Sequence, residues 1–166
     1  IWKKTMGSIL HGKILGIIGF GKVGRYLHKI LKNFGIQILI NDIKNIKRKN
    51  TKLTTLIKKS DIISINMNFS KKNKLLNQQK LNLCKKNCLI INTSRSEIID
   101  NEYLFKMLKK NKILGACMDV FDKEPYYGKF TKLNNVILTP HIGSYSKEIR
   151  SNMEKEALNY IVSNKV

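Results

Sequence analysis

The sequence predicts an α/β domain built on a doubly wound parallel sheet, and three observations carry that prediction. Short β-branched runs alternate with stretches of helical period along the whole chain. The first of these runs passes through a glycine-rich turn directly into a helix, the opening of a βαβ unit. The 166 residues are 42% hydrophobic with only 10 Gly and 2 Pro, which gives enough apolar chain for one ordinary core and argues against disorder.

The elements follow in order. Residues 13–18 read as a buried strand. Residues 23–34 read as a helix with Val23, Leu27, Ile30, Leu31 and Phe34 on one face, stopped by Gly35. Residues 36–41 alternate as a second strand, and a lysine-rich loop then leads to a short helix over 53–59. A third strand over 62–66, a helix over 75–83 and a fourth strand over 87–92 come next. Asn101 is expected to cap a helix over 101–111, with Tyr103, Leu104, Met107 and Leu108 turned inward. Strands over 113–120 and 136–138 and an amphipathic helix over 146–162 complete the chain. Right-handed crossovers would bring every strand's carboxyl end to one edge. The organisation expected is a crossover arm over 1–12, a Rossmann domain over 13–145 and a return helix over 146–166.

Composition narrows the function classes. The 32 Lys+Arg against 11 Asp+Glu give a net charge of +21, concentrated in residues 1–90 with 20 bases and two acids. A basic half can mark nucleic-acid binding. However, 28 of the bases are Lys and four are Arg, and the chain also carries 24 Ile and 18 Asn against two Ala. That bias reads as codon drift with solvated lysines, not as a base-reading surface, which favours Arg. No apolar run approaches the roughly 18 residues of a membrane span. Three cysteines, an odd number in a chain with no secretion signal, suggest reduced thiols and a cytoplasmic protein. Cys84 and Cys88 have no nearby His or second Cys pair to complete a zinc site, so no metal is expected.

The chemistry is expected at the strands' carboxyl ends. Gly19-Phe20-Gly21-Lys22-Val23-Gly24 joins the first strand to the first helix. Gly19 allows the tight turn, Gly21 the approach of a pyrophosphate, and Gly24 close packing of helix on strand. Asp42 closes the second strand 18 residues after Gly24, where a carboxylate can accept both ribose hydroxyls and repel a 2′-phosphate. NAD is therefore favoured over NADP. The other reading of Asp42 is a turn-capping residue, and Lys44, Lys47 and Arg48 behind it could tolerate a phosphate. Three further turns bear polar groups: Asn92-Thr93-Ser94-Arg95, Asp119 to Pro125 with Glu124, and Thr139-Pro140-His141-Ile142-Gly143-Ser144. An Arg fork suits a carboxylate substrate. A His can exchange a proton with an alcohol oxygen near neutral pH, with a Glu orienting its ring. His28 and His11 have no such partners and read as surface or packing residues.

These motifs in this order, with Ser60-Asp61-Ile62-Ile63, Ile99-Asp100 and Gly115-Ala116 between them, closely resemble the cofactor domain of the D-isomer-specific 2-hydroxyacid dehydrogenases. The resemblance runs over nearly the whole chain, and the flavour of His141 to Ser144 with Lys147-Glu148 is phosphoglycerate dehydrogenase-like. It implies that Arg95 binds the substrate carboxylate and carbonyl, that His141 is the acid/base and that Glu124 pairs with it. It also implies Lys22 and Val23 at the pyrophosphate, Asp42 at the adenosine ribose and Asp119 near the nicotinamide amide. Asn68, Thr93, Ser94, Arg95 and residues His141, Ile142, Gly143 and Ser144 would line the nicotinamide end. The implied partners are a small anionic 2-hydroxy or 2-keto acid, 3-phosphoglycerate among them, and a second copy in a homodimer. The arm with Trp2 and the terminal helix are its expected contacts.

Two departures stand out. Ser96 replaces a family Gly and is expected to strain the turn or narrow the crevice. Asn66-Met67-Asn68 replaces His-x-Pro and is expected to loosen the loop. The resemblance further implies a separate substrate domain missing from this chain, without which the chain should bind NAD but turn over little. The competing readings are an NAD-sensing corepressor-like module on the same fold, a methyltransferase with a similar glycine turn, and a nucleic-acid binder. The Arg, Glu and His set favours the enzyme.

Overall fold

A computed structural model describes residues 7–44, 50–68 and 74–163. Trp2, Lys47 and Arg48 lie outside the described residues. Six parallel strands form one sheet in the order β2-β1-β3-β4-β5-β6. They are β1 (Ile14–Ile18), β2 (Gln37–Asn41), β3 (Ile62–Ile65), β4 (Leu89–Asn92), β5 (Gly115–Met118) and β6 (Val136–Leu138). The connecting helices are α1 (Lys22–Leu31), α2 (Leu53–Lys59), α3 (Gln78–Leu81), α4 (Asn101–Lys109) and the terminal α5 (Lys147–Ser163). The chain turns from β1 outward to β2 and then crosses back to β3, so the strand order reverses at β1. Ligands of doubly wound sheets bind at that reversal.

The two faces of β1 seed two cores. Leu15 and Ile17 pack with Ile36 under α1, whereas Ile18 joins the larger cluster with Leu56, Ile57, Ile63, Ile90 and Leu104. These strands are buried on both faces, which explains their near-continuous Ile and Leu content. Cys88 lies in the larger core, Cys84 packs against it, and the three cysteines are free thiols. Among the described residues no helix is long and apolar enough to cross a membrane.

Four expectations need correction. On α1 only Leu27 and Leu31 of the predicted face turn to the sheet, while Val23, Ile30 and Phe34 are exposed. The cause is Gly24, the only buried residue of α1, which must sit against β1. At 3.6 residues per turn, positions 23 and 30 then lie roughly 100° to one side, and Phe34 lies beyond the end of the helix at Leu31. The predicted helix over 75–83 shrinks to α3, because Leu76 is held extended by its bridge to Ile99 and Asn77 caps the helix instead. Helix α4 is capped by Asp100, whose side chain accepts from the Tyr103 N–H at 3.2 Å, and not by Asn101. Finally, α5 buries none of its residues. It follows β6, the edge strand, and Ile149, Met153 and Leu158 are exposed.

Candidate functional site

Local sterics shape the glycine turn. Gly19 has φ +90°, a region that disfavours side chains, and a Cβ there would lie 2.7 Å from the Asn66 carbonyl oxygen. Its N–H donates to the Asn41 carbonyl at 2.8 Å, tying the turn to the end of β2. A Cβ on Gly24 would fall 2.2 Å from the Gly19 carbonyl oxygen, so the helix can approach the strand only with glycine here. Gly24→Ala is therefore expected to cost about 1–3 kcal/mol of stability, the usual range for overpacking. It should also weaken NAD binding about tenfold, one decade of affinity per 1.4 kcal/mol. Thermal melting and calorimetric titration check the two parts.

The turn fits a pyrophosphate. Among the described residues no side chain caps the N-terminus of α1, and its first turn carries no acid. The first N–H groups of a helix lack intrahelical partners and favour an anion. In front of them, a Cβ on Gly21 would meet nothing within 4 Å, so the space is open for a ligand. Lys22 and Val23 both sit in that first turn and are exposed. Asp42 stands beside it: its Oδ2 accepts from the Phe20 N–H at 2.6 Å and its Oδ1 from the Lys44 N–H at 2.8 Å. Asp42 thus caps the turn, as one of its two sequence readings expects, and its carboxylate lies next to it.

The loop after β4 is braced from within. The buried Asn92 accepts from the Ser94 N–H at 3.1 Å through Oδ1 and donates to the Arg95 carbonyl at 3.0 Å through Nδ2. The Ser94 hydroxyl donates to the Met67 carbonyl, joining this loop to the one after β3. Asn66 in that loop donates to the Ser64 hydroxyl at 3.0 Å, so residues 66 and 67 are tied despite the missing proline. Asn68 and Thr93 are exposed on the same edge. Arg95 is exposed and its Nη1 donates to the Ser94 carbonyl at 2.7 Å. Ser96 is not held in a left-handed backbone conformation. It begins a 3₁₀ turn at Ser96–Ile98, is buried, and its hydroxyl accepts from Asn101 Nδ2 at 2.8 Å beneath the loop.

The third group centres on Asp119, only 5% exposed at the end of β5. Its Oδ1 accepts from the Thr139 hydroxyl at 2.6 Å and from the Ile142 N–H at 2.9 Å, and its Oδ2 from the Gly143 N–H at 3.0 Å. Between these contacts His141 adopts φ +54°, which costs a side-chain-bearing residue about 1–3 kcal/mol. Its Nδ1 lies 2.9 Å from Glu124 Oε2, while Glu124 Oε1 accepts from the Phe121 N–H at 3.0 Å. The partner on Nδ1 assigns the Nδ1–H tautomer and leaves Nε2 for a substrate. The hydrogen bond from His141, aided by the Phe121 N–H, holds the Glu124 carboxyl below its ordinary range. Burial alone would raise Asp119, but the Thr139 hydroxyl, the Ile142 and Gly143 N–H groups and the nearby His141 outweigh it and hold it low. Ser144 follows, exposed, at the end of this turn.

All these loops share one edge because all six strands are parallel. Arg95 follows β4 and His141 follows β6, two strand spacings away or about 10 Å, within reach of a long side chain. A cleft of about 650 Å³ opens beside Glu124, walled by Phe121, Pro125, Tyr126, Leu138 and Pro140. Sequence reasoning missed Thr139 as the partner of Asp119 and Asn92 as the brace of the Arg95 loop. Each lies inside a quoted motif at a strand end, which was the available signal.

A glycine turn at the point of strand reversal, with a carboxylate closing the neighbouring strand, defines a dinucleotide-binding α/β domain. Residues 1–143 match the model of the D-isomer specific 2-hydroxyacid dehydrogenase NAD binding domain, and the chain belongs to that family. NAD is accordingly its cofactor. Glyoxylate reductase from Thermococcus litoralis is 39% identical over 170 residues, covering 92% of this chain and 51% of that protein. A glyoxylate reductase from Paecilomyes thermophila superposes with TM-score 0.87 at 29% identity, covering 97% of this chain and 52% of that one. The NAD complex of a D-isomer specific 2-hydroxyacid dehydrogenase from Lactobacillus delbrueckii ssp. bulgaricus shares the fold, with TM-score 0.86 at 23% identity, covering 95% of this chain and 55% of that one. The chain spans about half the length of the curated relatives it matches.

Proposed function

We propose that this chain is the cofactor half of a reductase that converts a small 2-keto acid, glyoxylate or a close analogue, to the 2-hydroxy acid. The observation that carries the reading is the His141–Glu124 pair at 2.9 Å, on the same sheet edge as Arg95 and the glycine turn. The Arg95 guanidinium holds the substrate carboxylate, a planar fork matched to two oxygens. Bound NADH supplies the hydride to the carbonyl carbon. His141 Nε2 passes its proton to the carbonyl oxygen, and the alcohol forms. Glu124 keeps the imidazole aligned through Nδ1. Asp42 receives the adenosine ribose, and Lys22 and Val23 offer N–H groups to the pyrophosphate.

The names of the curated relatives favour glyoxylate over the 3-phosphoglycerate expected from the sequence. Nothing in the site favours a corepressor role over catalysis. The His141 side chain is 51% exposed on an open face, which suits a second wall of the crevice. The relatives, about twice as long, support a further domain as that wall, and a second copy of the chain in a homodimer is the expected partner. In a protein that includes that wall, NADH should be oxidised on addition of glyoxylate and more slowly with larger keto acids. No NADH oxidation with any 2-keto acid would sink the reading. The cofactor preference is checked separately by titration of the chain itself, where NAD should bind at least about tenfold more tightly than NADP, a difference of about 1.4 kcal/mol.

A further inference from the structure

Strand β2 lies at the edge of the sheet, so the peptide groups on its outer side have no strand beyond them. Asp42 follows directly and would continue that open edge. The segment returning at residues 50 and 51 covers it. The Thr51 N–H donates to the Ile40 carbonyl at 2.7 Å, and Asn41 Nδ2 donates to the Thr51 carbonyl at 2.8 Å. One residue further along, a side chain takes over from the backbone. The Asp42 N–H donates to Asn50 Oδ1 at 3.0 Å, and Asn50 Nδ2 donates to the Asp42 carbonyl at 2.8 Å. The Asn50 amide thus stands in for a peptide group of a neighbouring strand and satisfies both main-chain polar groups of Asp42.

We propose that Asn50 is a positioning residue of the cofactor site, holding Asp42 so that its carboxylate serves the unmodified adenosine ribose of NAD. A carboxylate has about four acceptor sites. The N–H groups of Phe20 and Lys44 occupy one on each oxygen. The remaining lone pairs match the two hydroxyls of a ribose, whereas a 2′-phosphate brings only acceptors and charge. That discrimination holds only while Asp42 cannot withdraw. Its side chain is tied to the glycine turn and its backbone to Asn50, so turn and carboxylate stay in register. Asn suits this role because its amide donates and accepts at one length. Asp would keep the acceptor and lose the donor, and Ala would lose both.

The inference rests on the reading of Asp42 as the ribose ligand, and calorimetric titration of the chain with NAD and NADP separates the two. Asn50→Ala is expected to lower NAD affinity about tenfold, the scale of one or two lost hydrogen bonds. NADP affinity should not fall, and the melting temperature should not change. Asn50→Asp, which keeps one of the two bonds, should show part of the same loss of discrimination and reads the effect if the Ala variant does not fold. Wild-type discrimination in either folded variant would overturn the proposal. A parallel loss of NAD and NADP affinity with a lower melting temperature would also overturn it, as a general structural role. If Asp42→Ala leaves NAD affinity unchanged, the reading of Asp42 itself fails. If Asp42→Ala loses NAD and Asn50→Ala does not, only the role of Asn50 fails.

Discussion

Replacing His141 with Asn is expected to lower kcat/KM for keto-acid reduction about 10²- to 10⁴-fold, the contribution of a positioned general acid. Asn keeps a side chain that can bond to Glu124 but has no proton to give near neutral pH. On the proposed reading the glycine turn and Asp42, at the other end of the crevice, hold the adenosine half of NAD, so NAD affinity should change little by comparison. A large loss of NAD affinity with kcat preserved would show that His141 binds cofactor and does not move protons. Position 141 has a second readout independent of turnover. His141 is the main reason the Glu124 carboxyl sits below its ordinary range. In His141→Ala, which removes that bond altogether, the carboxyl should titrate closer to the ordinary value near 4.3, an upward shift visible by NMR. Glu124→Gln tests the partner: the ring keeps an acceptor on Nδ1 at the site of the 2.9 Å contact but loses the charged carboxylate that orients it. Activity should then fall with little change in NAD affinity.

The parts of the fold that were legible in the sequence depend on short-range rules. The glycine turn could be read because steric demands at Gly19 and Gly24 are met within a few residues. The central strands β1, β3 and β4 could be read because both of their faces are largely buried and their apolar runs are nearly continuous. The rotation of α1 was not legible, since it is set by the contact of Gly24 with the Gly19 carbonyl, which displaces Val23 and Ile30 to the flank. The cap of α4 moved one residue because the backbone up to Ile99 is held by its bridge to Leu76, so that Asp100 is where the helix begins. At the site, the residue types could be read but their duties could not. Asn50 meets Asp42 across a loop of seven residues, and Asn is frequent throughout this chain, so nothing marked that one. Ser96 looked like an obstruction because a sequence does not show that Asn101 draws its hydroxyl beneath the loop.

Asp119 carries the second large effect, and its geometry points to a duty other than the place near the nicotinamide amide that the resemblance implies. Its carboxylate is occupied by Thr139, Ile142 and Gly143, the residues on either side of His141. These bonds offset the cost of the left-handed backbone at His141, about 1–3 kcal/mol, and so fix where Nε2 points. Asp119→Ala should release that turn and lower kcat about 10²-fold, because misplacing a reacting group by about 1 Å costs that much. If Asp119 acted mainly at the nicotinamide amide, the KM for NADH would rise with kcat preserved, and that outcome would refute the positioning role. Thr139→Val, which removes one of the three bonds and leaves the charge, should give a smaller loss of the same kind. Stability provides the check on sign. The folded-state value of Asp119 lies below its unfolded value, so the folded protein binds fewer protons at this site. Its contribution is complete above the unfolded value near 3.9 and disappears as pH falls through the lowered folded value. The native protein should therefore lose stability more steeply below about pH 4 than Asp119→Asn does. Equal slopes for the two in acid would mean that the bonds around His141 do not depend on the charge of Asp119.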